Sequence, residues 1–240
     1  MIDWLRRGDA EPVVEAGGRS LPVALRRNPR ARRLTLRVAP DGSEVRLTLP
    51  RWCPESEALA FARSRAEWIA GQLARVPERR APGAGGTLLY RGQELQIDWR
   101  EGFPRTPRTE RGSVILGGPL EQVAGRLQRW LEGEAHALLT KDLEFYSERA
   151  GIAVPRLLLS RAQRRWGSCS TGGTVRINWR LVQAPDHVRR SVVAHEVAHC
   201  LHFDHSPAFH AALKELFEGD VGEADAWIKA HGRTLYASFG

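Results

Sequence analysis

The strongest constraint in this 240-residue sequence is one short string, His195-Glu196-Val197-Ala198-His199. Histidines at i and i+4 meet when the segment is helical, where they stand one turn apart on the same face. Both imidazoles can then reach a single metal ion. The helical period rotates Glu196 about 100° away from His195, out of the coordination plane but within reach of a water beside the ion. That pairing of an ion with an adjacent carboxylate suits hydrolysis. Val192-Val193-Ala194 supplies a dry lead-in, so one flank of the helix runs along a core.

A catalytic zinc usually takes a third protein ligand and leaves one position open. His202, His205, His210, Glu218 and Glu223 all follow within reach. His205 stands six residues after His199, the spacing of H-E-x-x-H-x-x-G-x-x-H, and the spacing favours it. The glutamates and other histidines stay open on this ground alone. His202 occupies the place of the glycine in that pattern, so the chain must turn differently; Asp204, Ser206 and Pro207 offer turn chemistry. Histidine ligation in this motif favours zinc, one ion per chain.

The first part of the chain alternates apolar and polar residues at period two: 21–25, 33–38 and 45–49, with Pro40-Asp41-Gly42 as a turn. An antiparallel sheet with one wet face is expected. A helix should open at Pro54-Glu55 and carry Leu59, Ala62, Ala66, Ile69 and Leu73 on one stripe. The Pro- and Gly-rich stretch 77–86 is the best internal boundary, which gives a β-rich region with a helix over 1–80 and a second region over 81–240, or one continuous domain over 18–235. Strands follow at 88–99 and 114–116, then a long helix at 120–150 with Leu127, Trp130, Leu131, Leu138 and Tyr146 towards the core. Two more strands come at 156–161 and 174–179. Pro185-Asp186 then opens the histidine-bearing helix, which runs to about Leu201. The fold class is α+β.

The formal charge of +8 is unevenly placed: residues 1–120 carry 21 arginines against 14 acids, while 121–240 are nearly balanced. The excess lies away from the histidine motif and reads first as solvated arginine. An anionic partner for the N-terminal half, including nucleic acid, is the sharper alternative. Cys53, Cys169 and Cys200 are too few and scattered for a disulfide framework, and Cys200 reads as a small buried thiol on the motif helix. Met1-Ile2-Asp3-Trp4-Leu5-Arg6-Arg7 does not resemble a signal peptide. No stretch approaches the roughly 20 apolar residues of a membrane helix, so a cytoplasmic location without membrane contact is expected. Oligomeric state leaves no trace in the sequence.

Several strings together resemble the YgjP-like metallopeptidases, relatives of the SprT-like group among the zincins. They are Arg165-Trp166-Gly167-Ser168-Cys169-Ser170, Ile177-Asn178-Trp179-Arg180-Leu181-Val182, the motif helix, His205-Ser206-Pro207-Ala208-Phe209, and Trp227-Ile228-Lys229-Ala230-His231-Gly232. The resemblance implies a minimal zincin-type core after the β-rich region, with His195, His199 and His205 as zinc ligands and Glu196 as catalytic base. It also implies that the W-G-S-C strand lies beside the motif helix. Asp204 and His210 stand where the family commonly has asparagine and tryptophan. Arg165, Trp166, Ser168 and Asn178 are the substrate-binding candidates, although packing is the favoured reading for the side chains of Trp166 and Cys169.

The resulting expectation is hydrolysis of peptide bonds in a peptide or protein substrate by a zinc-activated water, with Glu196 as general base. The rival is a divalent-metal hydrolase of nucleotide phosphoanhydrides, for which Arg161, Arg164 and Arg165 are the available phosphate-binding cluster. A third reading is a DNA-associated protease that binds through its basic N-terminal half, although the chain has no recognisable nucleic-acid motif.

Overall fold

The computed structural model describes residues 12–76 and 81–239. The 1–7 segment and residues 77–80 of the expected boundary lie outside the described residues. The chain is a mixed α+β protein, with 11 strands in three sheets and six α-helices among the described residues. It divides into two compact units, 1–78 and 79–240.

In the first unit, period-two alternation sets a sheet of β1 (Val13–Ala16), β2 (Arg19–Arg27), β3 (Thr35–Val38) and β4 (Val45–Leu49), in the order β1-β2-β4-β3. Val14, Leu21, Val23, Val45, Leu47 and Leu49 point to one face. There they meet Ala58, Ala62, Ile69 and Leu73 of α1 (Glu55–Ser64) and α2 (Ala66–Leu73). The expected antiparallel sheet is corrected here: β2 and β4 pair parallel, Val23 opposite Val45. Alternation fixes which face is buried but not strand direction. The 28–34 connection carries the chain past β4's place, so β3 forms the edge and β4 folds back between β3 and β2. Asp41 caps the expected turn by accepting from Ser43 N at 3.1 Å, and Gly42 takes the positive φ of 67° it requires. The single helix expected after Pro54 is two, because Arg65 leaves helical geometry at φ −106°, ψ 16°.

The second unit is built around α3 (Val123–Ala150), whose stripe of Leu127, Leu131, Ala135, Leu139, Leu143 and Tyr146 is fully buried or nearly so. Against it lies α4 (Asp186–Leu201), presenting Val193, Ala194, Val197 and Ala198 to the same core. Arg189 of α4 is 3% exposed and donates Nε to Asp142 Oδ2 of α3 at 2.7 Å, so a buried charge pair as well as apolar area sets the contact between these two helices.

A second sheet, ordered β5-β6-β8-β7, comprises β5 (Thr87–Tyr90), β6 (Gln93–Trp99), β7 (Arg108–Glu110) and β8 (Ser113–Leu116). Its first hairpin turns on Arg91 and Gly92, both at positive φ. That turn is fastened to the start of α4: Arg91 N donates to Val182 O, Gly92 N to Gln183 O, and the Arg91 guanidinium pairs with Asp186. A Cβ on Gly92 would stand 2.8 Å from Pro185 Cγ, so glycine is needed for close approach as well as for conformation. The third sheet orders β10 (Gly167–Ser170), β11 (Thr174–Asn178) and β9 (Arg156–Ser160), with β11 central and β10 at an edge. Two further helices, α5 (Pro207–Leu216) and α6 (Val221–His231), complete the unit.

Candidate metal centre

Three imidazoles converge where α4 ends and α5 begins. One ring nitrogen from each of His195, His199 and His205 lies within 4.8 Å of the others. His195 and His199 come from one face of α4, as their spacing requires. His205 arrives by a turn rather than a helix. His202 takes φ −138°, ψ 110° and ends α4. That is extended backbone open to any residue, so the turn needs no glycine. Asp204 Oδ1 then accepts from Ser206 N at 3.2 Å, and Ser206 caps α5 by accepting from Phe209 N at 3.4 Å, with Pro207 in the first turn.

The α5 cap places Phe209 under the site. Its fully buried ring lies with its centroid 5.0 Å from His195, 4.5 Å from His199 and 4.9 Å from His205. His199 Nδ1 is 3.1 Å from the His202 carbonyl. A carbonyl only accepts, so Nδ1 carries the proton and Nε2 keeps the lone pair that a metal takes. Burial, followed by the like charges of His199 and His205, pulls His195 down to about 4. Its ring is therefore neutral at neutral pH and fit to ligate. Three imidazole nitrogen donors fit zinc.

Glu196 is only 5% exposed, and its Oε2 has no hydrogen-bond partner. Burial raises its carboxyl to about 7, against the opposing Arg165 charge and the Cys169 backbone amide hydrogen-bonded to it. The W-G-S-C strand β10 packs against α4 at this point. A Cβ on Gly167 would stand 2.7 Å from both Cγ and Cδ of Glu196, so the glycine makes room for the carboxylate. Glu196, the three histidines, Gly167, Ser168, Cys169 and Phe203 line a cleft of about 350 Å³. Cys200, half-buried, sets its sulfur 3.3 Å from that of Cys169.

Other sequence candidates separate. Ser168 lines the cleft, and Trp166 lines a neighbouring cavity that also touches His195 and Glu196. Arg165 is exposed and acts on Glu196 through its charge. Asn178, also a substrate-binding candidate, is fully buried: Nδ2 donates to Ala162 O and Tyr236 Oη, and Oδ1 accepts from Arg180 N. It ties the end of β11 to the C-terminal segment. Glu218 accepts from Tyr146 Oη at 2.8 Å and pairs with Arg190, so it is engaged away from the triad. The His210 ring is 6.5 Å from that of His205. Arg161 pairs with Glu132 at 2.8 Å. No spacing rule pointed to Phe209, Phe203 or the close approach of Gly167 to Glu196; the Ser206-Pro207 helix start and the glycine of W-G-S-C were the available signals.

Among known proteins, no curated sequence matches this chain. One solved structure, the metallopeptidase zymogen of Pyrococcus abyssi abylysin, is similar at 18% identity and a TM-score of 0.35, covering 38% of this chain and 92% of that one. The family model for the YgjP-like metallopeptidase domain matches residues 32–231, which takes in the triad, Glu196, the W-G-S-C strand and most of the first unit. The chain belongs to the YgjP-like metallopeptidase family.

Proposed function

We propose that this protein is a zinc-dependent metallopeptidase, with one ion held by His195, His199 and His205 and with Glu196 as general base. The observation that carries the reading is the convergence of two helix-held imidazoles and one turn-held imidazole over Phe209, beside a buried carboxylate whose Oε2 has no partner. When bound, zinc supplies Lewis acidity, polarising a carbonyl and easing deprotonation of a nearby water. Glu196 takes that proton and passes it to the leaving amine. Gly167 and the Cys169 amide hold the carboxylate in place. The outer edge of β10, unpaired among the described strands, suits an extended peptide, which adds to a sheet edge through backbone hydrogen bonds. Phe203, 56% exposed at the cleft, offers its side chains an apolar contact. Phosphoanhydride chemistry is less well supported, because among the described residues neither recess bordering the triad has an arginine in its lining.

The test is elemental analysis of the purified protein with casein hydrolysis followed in the presence and absence of chelator. One zinc per chain and chelator-sensitive cleavage are expected. Zinc without cleavage of any polypeptide overturns the peptidase reading, and no metal under loading overturns the site.

A pH dependence follows from Glu196. A general base must be deprotonated, so kcat/KM falls as pH drops through its pKa. Burial holds that value at about 7, and the positive charge of an ion pulls it back down. The acid limb is therefore expected at or somewhat below 7. Arg165→Gln removes the opposing cation and moves the limb upward, measurable as a pH profile of kcat/KM. A limb that moves down in this variant contradicts the role of Arg165.

A further inference from the structure

Beside the triad lies a second cavity of about 340 Å³, bounded by α4, α5, α6 and the Trp166-Gly167 segment. Its size is at the low end of ligand pockets, roughly 300 Å³, which suits one side chain better than a whole small molecule. Trp166, Val192, Phe209, Leu213, Val221 and Ile228 give it apolar walls, and His195 and Glu196 border it. One residue breaks the pattern. Val221, Asp225 and Ile228 follow one another at i, i+4 and i+7 on α6, so they share a helix face, and all three line the cavity. Asp225 puts a carboxylate in a row that helical periodicity otherwise makes apolar.

The Asp225 side chain has no hydrogen bond or ion pair among the described residues. The other polar groups in the lining are Ser191 at 6% exposure and His210, which also borders the adjoining recess with Lys214 and Asp220. Asp225 lines the same cavity as His195 and Glu196. The carboxylate is thus close to the reaction centre, solvated, and without a cation.

We propose that this cavity is a specificity pocket for a lysine or arginine side chain of the substrate next to the scissile bond, with Asp225 as the residue that selects it. An aliphatic stem matches the apolar walls and a cationic head matches the carboxylate, as amphipathic side chains do elsewhere. An acidic side chain is repelled by Asp225, and a purely apolar one fills the walls while leaving the charge unanswered. The inference rests on the peptidase reading above and deepens it by naming the substrate class.

Two arms test it. In the first, zinc-loaded wild type, Asp225→Asn and Asp225→Lys digest denatured casein, and the cut sites are read by mass spectrometry. One position flanking the cut is expected to be enriched in Lys and Arg for wild type, to lose the enrichment in Asp225→Asn and to turn towards Glu and Asp in Asp225→Lys. In the second, zinc-loaded Glu196→Gln binds fluorescent alanine-rich peptides that carry one lysine or one norleucine. The lysine peptide should bind about fivefold tighter, the upper range for a solvated ion pair, and Asp225→Asn added to the same protein should remove the difference. Cleavage without basic enrichment, or enrichment unchanged in Asp225→Asn, overturns the pocket assignment and leaves the peptidase reading standing. If wild type cuts nothing, the peptidase reading falls and the substrate assignment falls with it; a lysine preference that depends on Asp225 in the binding arm then upholds only a binding pocket for a basic side chain, and equal binding removes that as well.

Discussion

Glu196→Gln is expected to keep zinc bound and to lower kcat by about 10²–10⁴-fold, the usual worth of a positioned general base. Glutamine copies the shape that Gly167 makes room for and has no charge to accept a proton. The variant carries a second signature. In the metal-free protein the Glu196 carboxyl titrates at about 7, above the 4.5 of an unperturbed glutamate. A raised acid favours the protonated fold, so its contribution is present below 4.5 and is lost as pH climbs through 7. At pH 8 the native chain therefore bears the full cost of a buried carboxylate. Glutamine relieves that cost but buries an amide, and the balance is a gain on the order of 1–2 kcal/mol in metal-free stability at pH 8. Denaturant melts of the two apo proteins at pH 5 and pH 8 check it: the gain should appear at pH 8 and shrink at pH 5. A residue held only for packing would show lost stability along with lost activity. Full activity in the glutamine variant refutes the base assignment.

The parts of the molecule that were legible in advance are those fixed by a local period. The histidine spacing, the Pro185-Asp186 start and the apolar Val193-Ala194 flank are all properties of one helix, and α4 follows directly from them. The α3 stripe and the β2 and β4 alternation are of the same kind. What escaped depends on direction or distance. The parallel pairing of β2 with β4 is invisible to alternation. The strand β7 is three exposed residues, too short to show a period. Ser206-Pro207 offers turn chemistry, although serine before proline equally opens a helix, and the floor that Phe209 provides depends on that helix, α5. That Asn178 bonds to Ala162, Arg180 and Tyr236 is a matter of long-range packing that its place in the sequence does not show. The closeness of Cys169 to Cys200, 31 positions apart, likewise belongs to the packing of β10 on α4.

His199→Ala is expected to lose the metal outright at ordinary concentrations, and His205→Ala to hold it more weakly. Structural zinc binding is worth roughly 10–16 kcal/mol over four ligands, so one histidine represents a few kcal/mol and about 10²–10³-fold in affinity. The two positions differ in how they are held. His199 is fixed by α4 and by the bond from its Nδ1 to His202 O, so its lone pair is pre-aimed and its removal forfeits an oriented ligand. His205 is exposed, on a turn set by Asp204 and Ser206, and pays more ordering entropy when it ligates. His210→Ala is the control, since its ring lies 6.5 Å from His205 and outside the triad. Binding to the folded state alone stabilises it by RT ln(1 + [Zn]/Kd), about 2.7 kcal/mol at a hundredfold excess over Kd. Wild type and His210→Ala should therefore show a zinc-dependent rise in Tm, His205→Ala a smaller rise needing more zinc, and His199→Ala none. Equal zinc-induced shifts in wild type and His205→Ala would transfer the third ligand from His205 to another group. An unshifted wild type would remove the metal centre altogether, because the stabilisation depends only on binding and not on finding the right substrate.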